Sequence, residues 1–207
     1  ERLLCVNVQK AWDAAMNAPD VDQIFAVANS TKYGGAGYPG NDIGTFSSNN
    51  ASSLQVAIHE LGHSLGNLAD EYSYGGRSTW PGGEPSAANV STNTSAQMES
   101  LKTKWHLWLG FNQSGLGEHS TFEGANYSEF GIYRPTANSM MRELNQPFNM
   151  PSRETLIIEF QKVVNFLEAA SPNSTNAPWD AALSVTCLEP LHGLEYQWFL
   201  NGSVIAG

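Results

Sequence analysis

Residues 59–63 read His-Glu-Leu-Gly-His, and the residues around them leave little choice of local structure. Leu54, Ala57, Ile58, Leu61 and Leu65 recur at spacings of three and four, so residues 53–65 are predicted to form an amphipathic helix. His59 and His63 are four apart and lie one above the other on one face of it. Two imidazoles so placed can reach one tetrahedral zinc ion. Glu60 projects beside them, where a carboxylate can take a proton from a zinc-activated water. Gly62 and Gly66 would weaken a helix that served only as scaffold. Gly66 also suits a left-handed exit turn that sends the chain back toward the metal. A third ligand is then expected within a few residues. Ala69 cannot supply one, so Asp70 is the expected ligand and Glu71 the second choice.

The flanking sequence describes a chain with room for one substantial domain and a small appendage. Apolar spacing predicts a helix over residues 1–18, ending near Pro19, and short strands over 23–29 and 42–48. Between those strands, residues 33–40 read as a glycine-rich loop without a phosphate-binding pattern. Residues 73–100 are rich in Gly, Pro, Ser, Asn and Thr and read as a long surface loop. A tryptophan-rich helix or strand follows over 102–109, and 110–150 is irregular with several turn signals. Ser152 is expected to cap a helix over 153–170 that carries Leu156, Ile157, Phe160, Val163, Val164 and Leu167. This bounds a catalytic domain at 1–170, a linker at 171–178 and a different texture at 179–207. There residues 183–188 and 195–200 alternate, and Asn201-Gly202 signals a turn. That pattern suits a partial immunoglobulin-like β segment, since so few residues cannot close a sandwich.

The motif extends beyond the helix. His59-Glu60-x-x-His63-x-x-Gly66-x-Leu68-x-Asp70-Glu71-Tyr72 resembles the active-site stretch of the IgA-peptidase family, metzincin-like zinc endopeptidases. Asn29-Ser30 with Tyr33-Gly34-Gly35, Glu123-Gly-Ala-Asn-Tyr127, Gly131-Ile-Tyr-Arg-Pro135 and Ser139-Met-Met-Arg142 resemble further segments of that family. The resemblance covers residues 20–170. It implies an α+β, metzincin-like catalytic domain: a twisted mixed sheet, an active-site helix, a methionine turn and a C-terminal helix. On that reading Met141 is the Met-turn residue, with Met140 the alternative. The family often carries cysteines around this turn, where Ser139 and Asn149 stand here. The chain opens at the first helix, without the strand that normally precedes it, so more sequence is expected upstream in a longer parent protein.

Other groups complete the expectation. Tyr133 and Tyr72 could each offer a phenol to the oxyanion of a tetrahedral intermediate. Arg134 could meet a substrate carboxylate, though an acidic side chain is its more usual partner. His106, His119 and His192 have no partner at ligand spacing and read as structural or surface residues. Cys5 and Cys187 fit no metal knuckle; they either pair or remain thiols. Asn-x-Ser/Thr sequons occur at Asn50, Asn89, Asn93, Asn112, Asn126, Asn173 and Asn201. A net charge of −10 argues against nucleic acid or an anionic membrane as partner, and no apolar run is long enough to span a bilayer. The reading is a secreted zinc endopeptidase that cuts protein or peptide substrates, with Glu60 as general base. The alternatives are an inactive peptidase-fold binding module and a zinc amidase acting on a non-peptide amide.

Overall fold

Strand β1 (Ile24–Ala28) and strand β3 (Ile43–Ser47) form within the two segments expected to be short strands. They run parallel, from Ile24 opposite Ile43 to Ala28 opposite Ser47. The computed structural model describes residues 3–172, 178, 180–188 and 197–205. The glycine-rich segment is not a loop. Gly35–Tyr38 is strand β2, antiparallel to β3, so the sheet is mixed and its order is β1-β3-β2. The signal was present in the alternation. Gly35 and Gly37 are two apart and share the face that packs on helix α2 (Ser53–Ser64). A Cβ at Gly35 would come within 2.6 Å of Glu60 Oε1, and one at Gly37 within 2.4 Å of His63 Cβ. Only glycine lets this strand lie against the helix that carries the motif.

Two other helices begin where a cap allows. Helix α1 (Val8–Ala15) starts at Asn7, whose side chain accepts from the Lys10 N–H, rather than at residue 1. Before it, Leu3 is bridged to Gly35. The last helix, α4 (Met150–Val163), is shorter than expected and differently capped. Asn149, not Ser152, accepts the Ser152 N–H at 3.2 Å, and Pro151 sits in the first turn, where its missing N–H costs nothing. The long segment after the motif contains helix α3 (Ser95–Leu101), opened by a reciprocal Thr94–Gln97 capping box that the sequence displays. A single 3₁₀ turn, His106–Trp108, follows. Two hairpins lie in the region expected to be irregular. One is small, β4 (Asn112–Gln113) with β5 (Gly117–Glu118); the other is β6 (Phe122–Ala125) with β7 (Ser128–Arg134).

The chain divides into two compact units, Glu1–Phe160 and Gln161–Gly207, at a boundary inside α4. In the first unit the buried apolar residues form two clusters. Leu68, Met141 and Leu156 pack with Leu65 and Phe148. Val90, Ala125 and Ile132 pack with Ala69, Trp80 and Ala87. In the second unit, strand β8 (Leu167–Ser171) occupies residues expected to be helical and pairs antiparallel with β9 (Ser184–Cys187). Strands β10 (Trp198–Leu200) and β11 (Ser203–Ile205) flank Asn201-Gly202, both left-handed, as a two-residue hairpin requires. His192, Glu195, Tyr196 and the Asn173 sequon lie outside the described residues. Cys5 and Cys187 are free thiols. Among the described residues no helix is long and apolar enough to cross a membrane.

Candidate active site

His59 Nε2, His63 Nε2 and Asp70 Oδ1 mark the corners of a nearly equilateral triangle. The two nitrogens are 3.1 Å apart. The carboxylate oxygen lies 3.1 Å from His59 and 3.2 Å from His63. Local helix geometry brings the two histidines together. The exit turn brings Asp70, but by a different residue than expected. Gly66 is not left-handed; Asn67 is, at φ 47°. Gly66 is required instead for close packing, since a Cβ there would stand 2.9 Å from the Gly62 carbonyl and 3.1 Å from Leu156. The Leu68 N–H then closes the turn on the Gly62 carbonyl at 3.0 Å.

Both imidazoles are oriented from behind. His59 Nδ1 is 2.9 Å from the Met140 carbonyl and His63 Nδ1 is 2.6 Å from the Leu68 carbonyl. A carbonyl only accepts, so each Nδ1 carries the proton and each neutral Nε2 offers a lone pair to the triangle. Two lone pairs at 3.1 Å repel unless a proton or a cation lies between them. A tetrahedral ion with bonds of about 2.0–2.1 Å sets its ligand atoms roughly 3.3 Å apart, close to the edges seen. The donor set therefore fits a zinc-like ion. His59, Glu60 and His63 also qualify as a group whose ligand atoms all lie within 4.8 Å of one another. Of the two acids, Asp70 is the better third corner, because Glu60 faces β2.

The electrostatics agree with that division. Where a proton on an Nε2 takes the place of an ion, burial pushes the Asp70 carboxyl up, but hydrogen bonds from such protonated His59 and His63 rings and from the Tyr127 hydroxyl outweigh it and hold the group well below the usual carboxylate range. Burial opposes the protonated form of His63, yet the bond and charge of Asp70 leave its pKa raised. Glu60 is buried, and that burial raises its pKa against the pull of His59 and His63.

Glu71, the second choice for ligand, is turned away. It is fully buried and accepts from Asn89 Nδ2 at 2.9 Å, Ser139 Oγ at 2.6 Å and Asn149 Nδ2 at 2.9 Å. Burial pushes its carboxyl up despite these donors. Its N–H also donates to the Met141 carbonyl at 2.8 Å. Glu71 thus ties the segment after the ligand to residues 139–141 and to the cap of α4. Ser139 and Asn149, the places where cysteines were expected from the family resemblance, both serve this carboxylate. Met141 is fully buried, and its sulfur would lie 2.6 Å from a Cβ at Gly62, so Gly62 is what lets it sit under the helix. Asn89 is fully buried as well and clamps Ala69 through its N–H and carbonyl, which removes it as a glycan acceptor.

The remaining expectations divide. A cleft of about 510 Å³ opens over the triangle, lined in part by Tyr33, Tyr72, Tyr74, Tyr127 and Arg142. Tyr72 lines it; Tyr133 does not, because β7 holds it in backbone pairing with Ser91. Arg134 does not line the cleft; the buried Glu71 carboxylate is near enough to favour its charge, though no close ion pair joins them. The guanidinium is buried, donates to the carbonyls of Glu123, Gly124 and Ala137, and is pulled down to about 10 by that burial. His119 is structural: fully buried, with Nδ1 donating to Phe111 and Nε2 accepting from the Met150 N–H. Tyr127 belongs to one of the family-like segments, and no spacing in the sequence points from it to Asp70.

The chain is thus a mixed α+β protein with a His-Glu-His group that could hold a metal ion, lining an open cleft. The family model described as IgA Peptidase M64 matches residues 1–116 and 112–160, and the chain belongs to that family. It is a peptidase, a hydrolase whose substrates are proteins. No curated protein matches it.

Proposed function

We propose that this chain is a secreted, zinc-dependent endopeptidase with a metzincin-like catalytic fold. The observation that carries the reading is the triangle of His59 Nε2, His63 Nε2 and Asp70 Oδ1, with both imidazoles oriented by backbone carbonyls. These three residues would hold the zinc ion. When bound, zinc acidifies a water molecule and polarises the scissile carbonyl. Glu60 takes the proton of the attacking water and passes it to the leaving amine. Its raised pKa suits a group that must both accept and return a proton. Met141, packed under Gly62, acts as the methionine of the turn. The mixed sheet with its antiparallel outer strand β2 supports the metzincin-like reading. Residues 179–207 would carry an immunoglobulin-like β pattern separable from catalysis.

The test is metal analysis of the purified chain together with cleavage of a broad peptide library. One zinc per chain and cleavage that stops with a chelator and returns with zinc is the expected result. Zinc uptake without any cleavage would move the reading to a binding module that retains a peptidase fold.

A further inference from the structure

Tyr127 occupies a backbone conformation that its side chain does not favour. Asn126 and Tyr127 form the two-residue tip of the β6–β7 hairpin, closed by Ala125 opposite Ser128, with φ values of 45° and 68°. Such a tip asks for two left-handed residues, and Asn-Gly is the usual solution. Asn126 meets the demand; a bulky aromatic residue at the second place is strained. Three hydrogen bonds hold the tip against residues 70–72. The Asn126 N–H donates to the Asp70 carbonyl at 2.8 Å and the Tyr127 N–H to the Tyr72 carbonyl at 3.0 Å. The Tyr127 hydroxyl donates to Asp70 Oδ2 at 2.5 Å. The ring stacks on Tyr74, with centroids 5.1 Å apart and planes 6° from parallel.

The two oxygens of Asp70 therefore have separate tasks. Oδ1 faces both imidazoles, and Oδ2 is taken by the phenol. We infer that Tyr127 is a positioning residue for the metal: it holds Asp70 as a one-oxygen ligand and leaves Oδ1 alone at the third corner of the triangle. This rests on the zinc reading above. A ligand tied in this way favours a small tetrahedral ion over larger cations that take both carboxylate oxygens. The strain at the hairpin tip is the observation that separates this from ordinary packing, since glycine would serve the turn better but could not reach Oδ2.

The experiment uses the full chain stripped with chelator, with zinc affinity measured by competition against a chelating dye. Tyr127→Phe keeps the ring and its stacking but loses the hydroxyl. It is expected to bind zinc about 10–100-fold more weakly than wild type. Loading with cobalt should show the same change directly: the intense visible bands of four-coordinate cobalt should weaken as Asp70 becomes free to use both oxygens. Tyr127→Gly, which suits the left-handed backbone, should share the loss of affinity while the metal-free protein remains folded by circular dichroism. Equal zinc affinity and an unchanged cobalt spectrum in both variants would overturn the inference. Unchanged affinity with a lowered kcat and constant KM would also overturn it, and would make Tyr127 a catalytic donor instead. A wild type that takes up no zinc brings down the zinc reading itself, an outcome distinct from variants that bind as well as wild type.

Discussion

Helix α2 brings His59 and His63 together through a spacing of four residues, whereas the β6–β7 hairpin reaches Asp70 across 57 residues of chain. The helix needs only its own period to aim two imidazoles at one point. The hairpin supplies no metal-binding atom. It acts through two backbone N–H groups and one phenol, and it holds a tyrosine in a left-handed conformation to do so. The contrast shows two ways of building one site. His59, His63 and Asp70 meet through the helix period and its exit turn, whereas the Met140 carbonyl behind His59 and the Tyr127 phenol on Asp70 arrive by tertiary contact. Asp70 and Glu71 repeat the contrast at neighbouring positions: one carboxylate faces the cleft, and the other is sealed among Asn89, Ser139 and Asn149.

The largest effect expected on the helix side concerns chemistry. Glu60→Gln should keep zinc and fold while losing peptide cleavage by about 10²–10⁴-fold, compared with wild type at matched zinc occupancy. Near wild-type turnover would remove Glu60 from the mechanism. The neighbouring acids should then separate cleanly. Asp70→Ala should lose zinc, or bind it far more weakly. Glu71→Ala should instead unfold more easily by about 3 kcal/mol or more, because several buried donors lose their acceptor. Urea denaturation in chelator measures this. Zinc retained by Asp70→Ala but lost by Glu71→Ala, with stability unchanged in the latter, would reverse the assignment.

A smaller effect tests the fit of β2 on α2. Gly37→Ala would place a methyl group 2.4 Å from His63 Cβ and 2.9 Å from the Glu60 carbonyl, neither of which can swing away. A loss of about 1–3 kcal/mol is expected, with activity falling as the motif is displaced. Gly40→Ala, where no atom lies within 4 Å, should show only the cost of its positive φ.

The smallest effect is a pH dependence away from the cleft. Burial lowers the pKa of His119, so its neutral form is favoured in the folded state. Stability from this group is fully present above its unfolded pKa of about 6.5 and is lost as pH falls through the lower folded value. Protonation would also set a positive Nε2–H against the Met150 N–H at the start of α4. The urea midpoint of wild type should fall between about pH 7 and pH 5. His119→Gln should show a flatter slope in that window, and equal slopes would assign the acid sensitivity elsewhere.

The motif helix was legible to within a residue, because amphipathic spacing and the histidine pair both report the same period. Strands β1 and β3 were legible from short apolar runs. Helix α4 was overextended, since the apolar residues Val164 and Leu167 continue its spacing while the chain has already turned into β8. Strand β2 was hidden because glycine usually signals a turn, and here it signals a neighbour too close for a Cβ.

By itself, the sequence determined which side chains gather at the candidate site. Two imidazoles, the carboxylate of Glu60 beside them and a nearby acid follow from spacing within a single helix and its exit, and spacing is local information. Tertiary structure decided which of two adjacent carboxylates faces the imidazoles, which tyrosine touches that carboxylate and why Gly35 and Gly37 stand where β2 meets the helix. Those outcomes depend on residues dozens of positions away that fill hydrogen bonds and space, and no pattern along the chain records which distant group a side chain will meet.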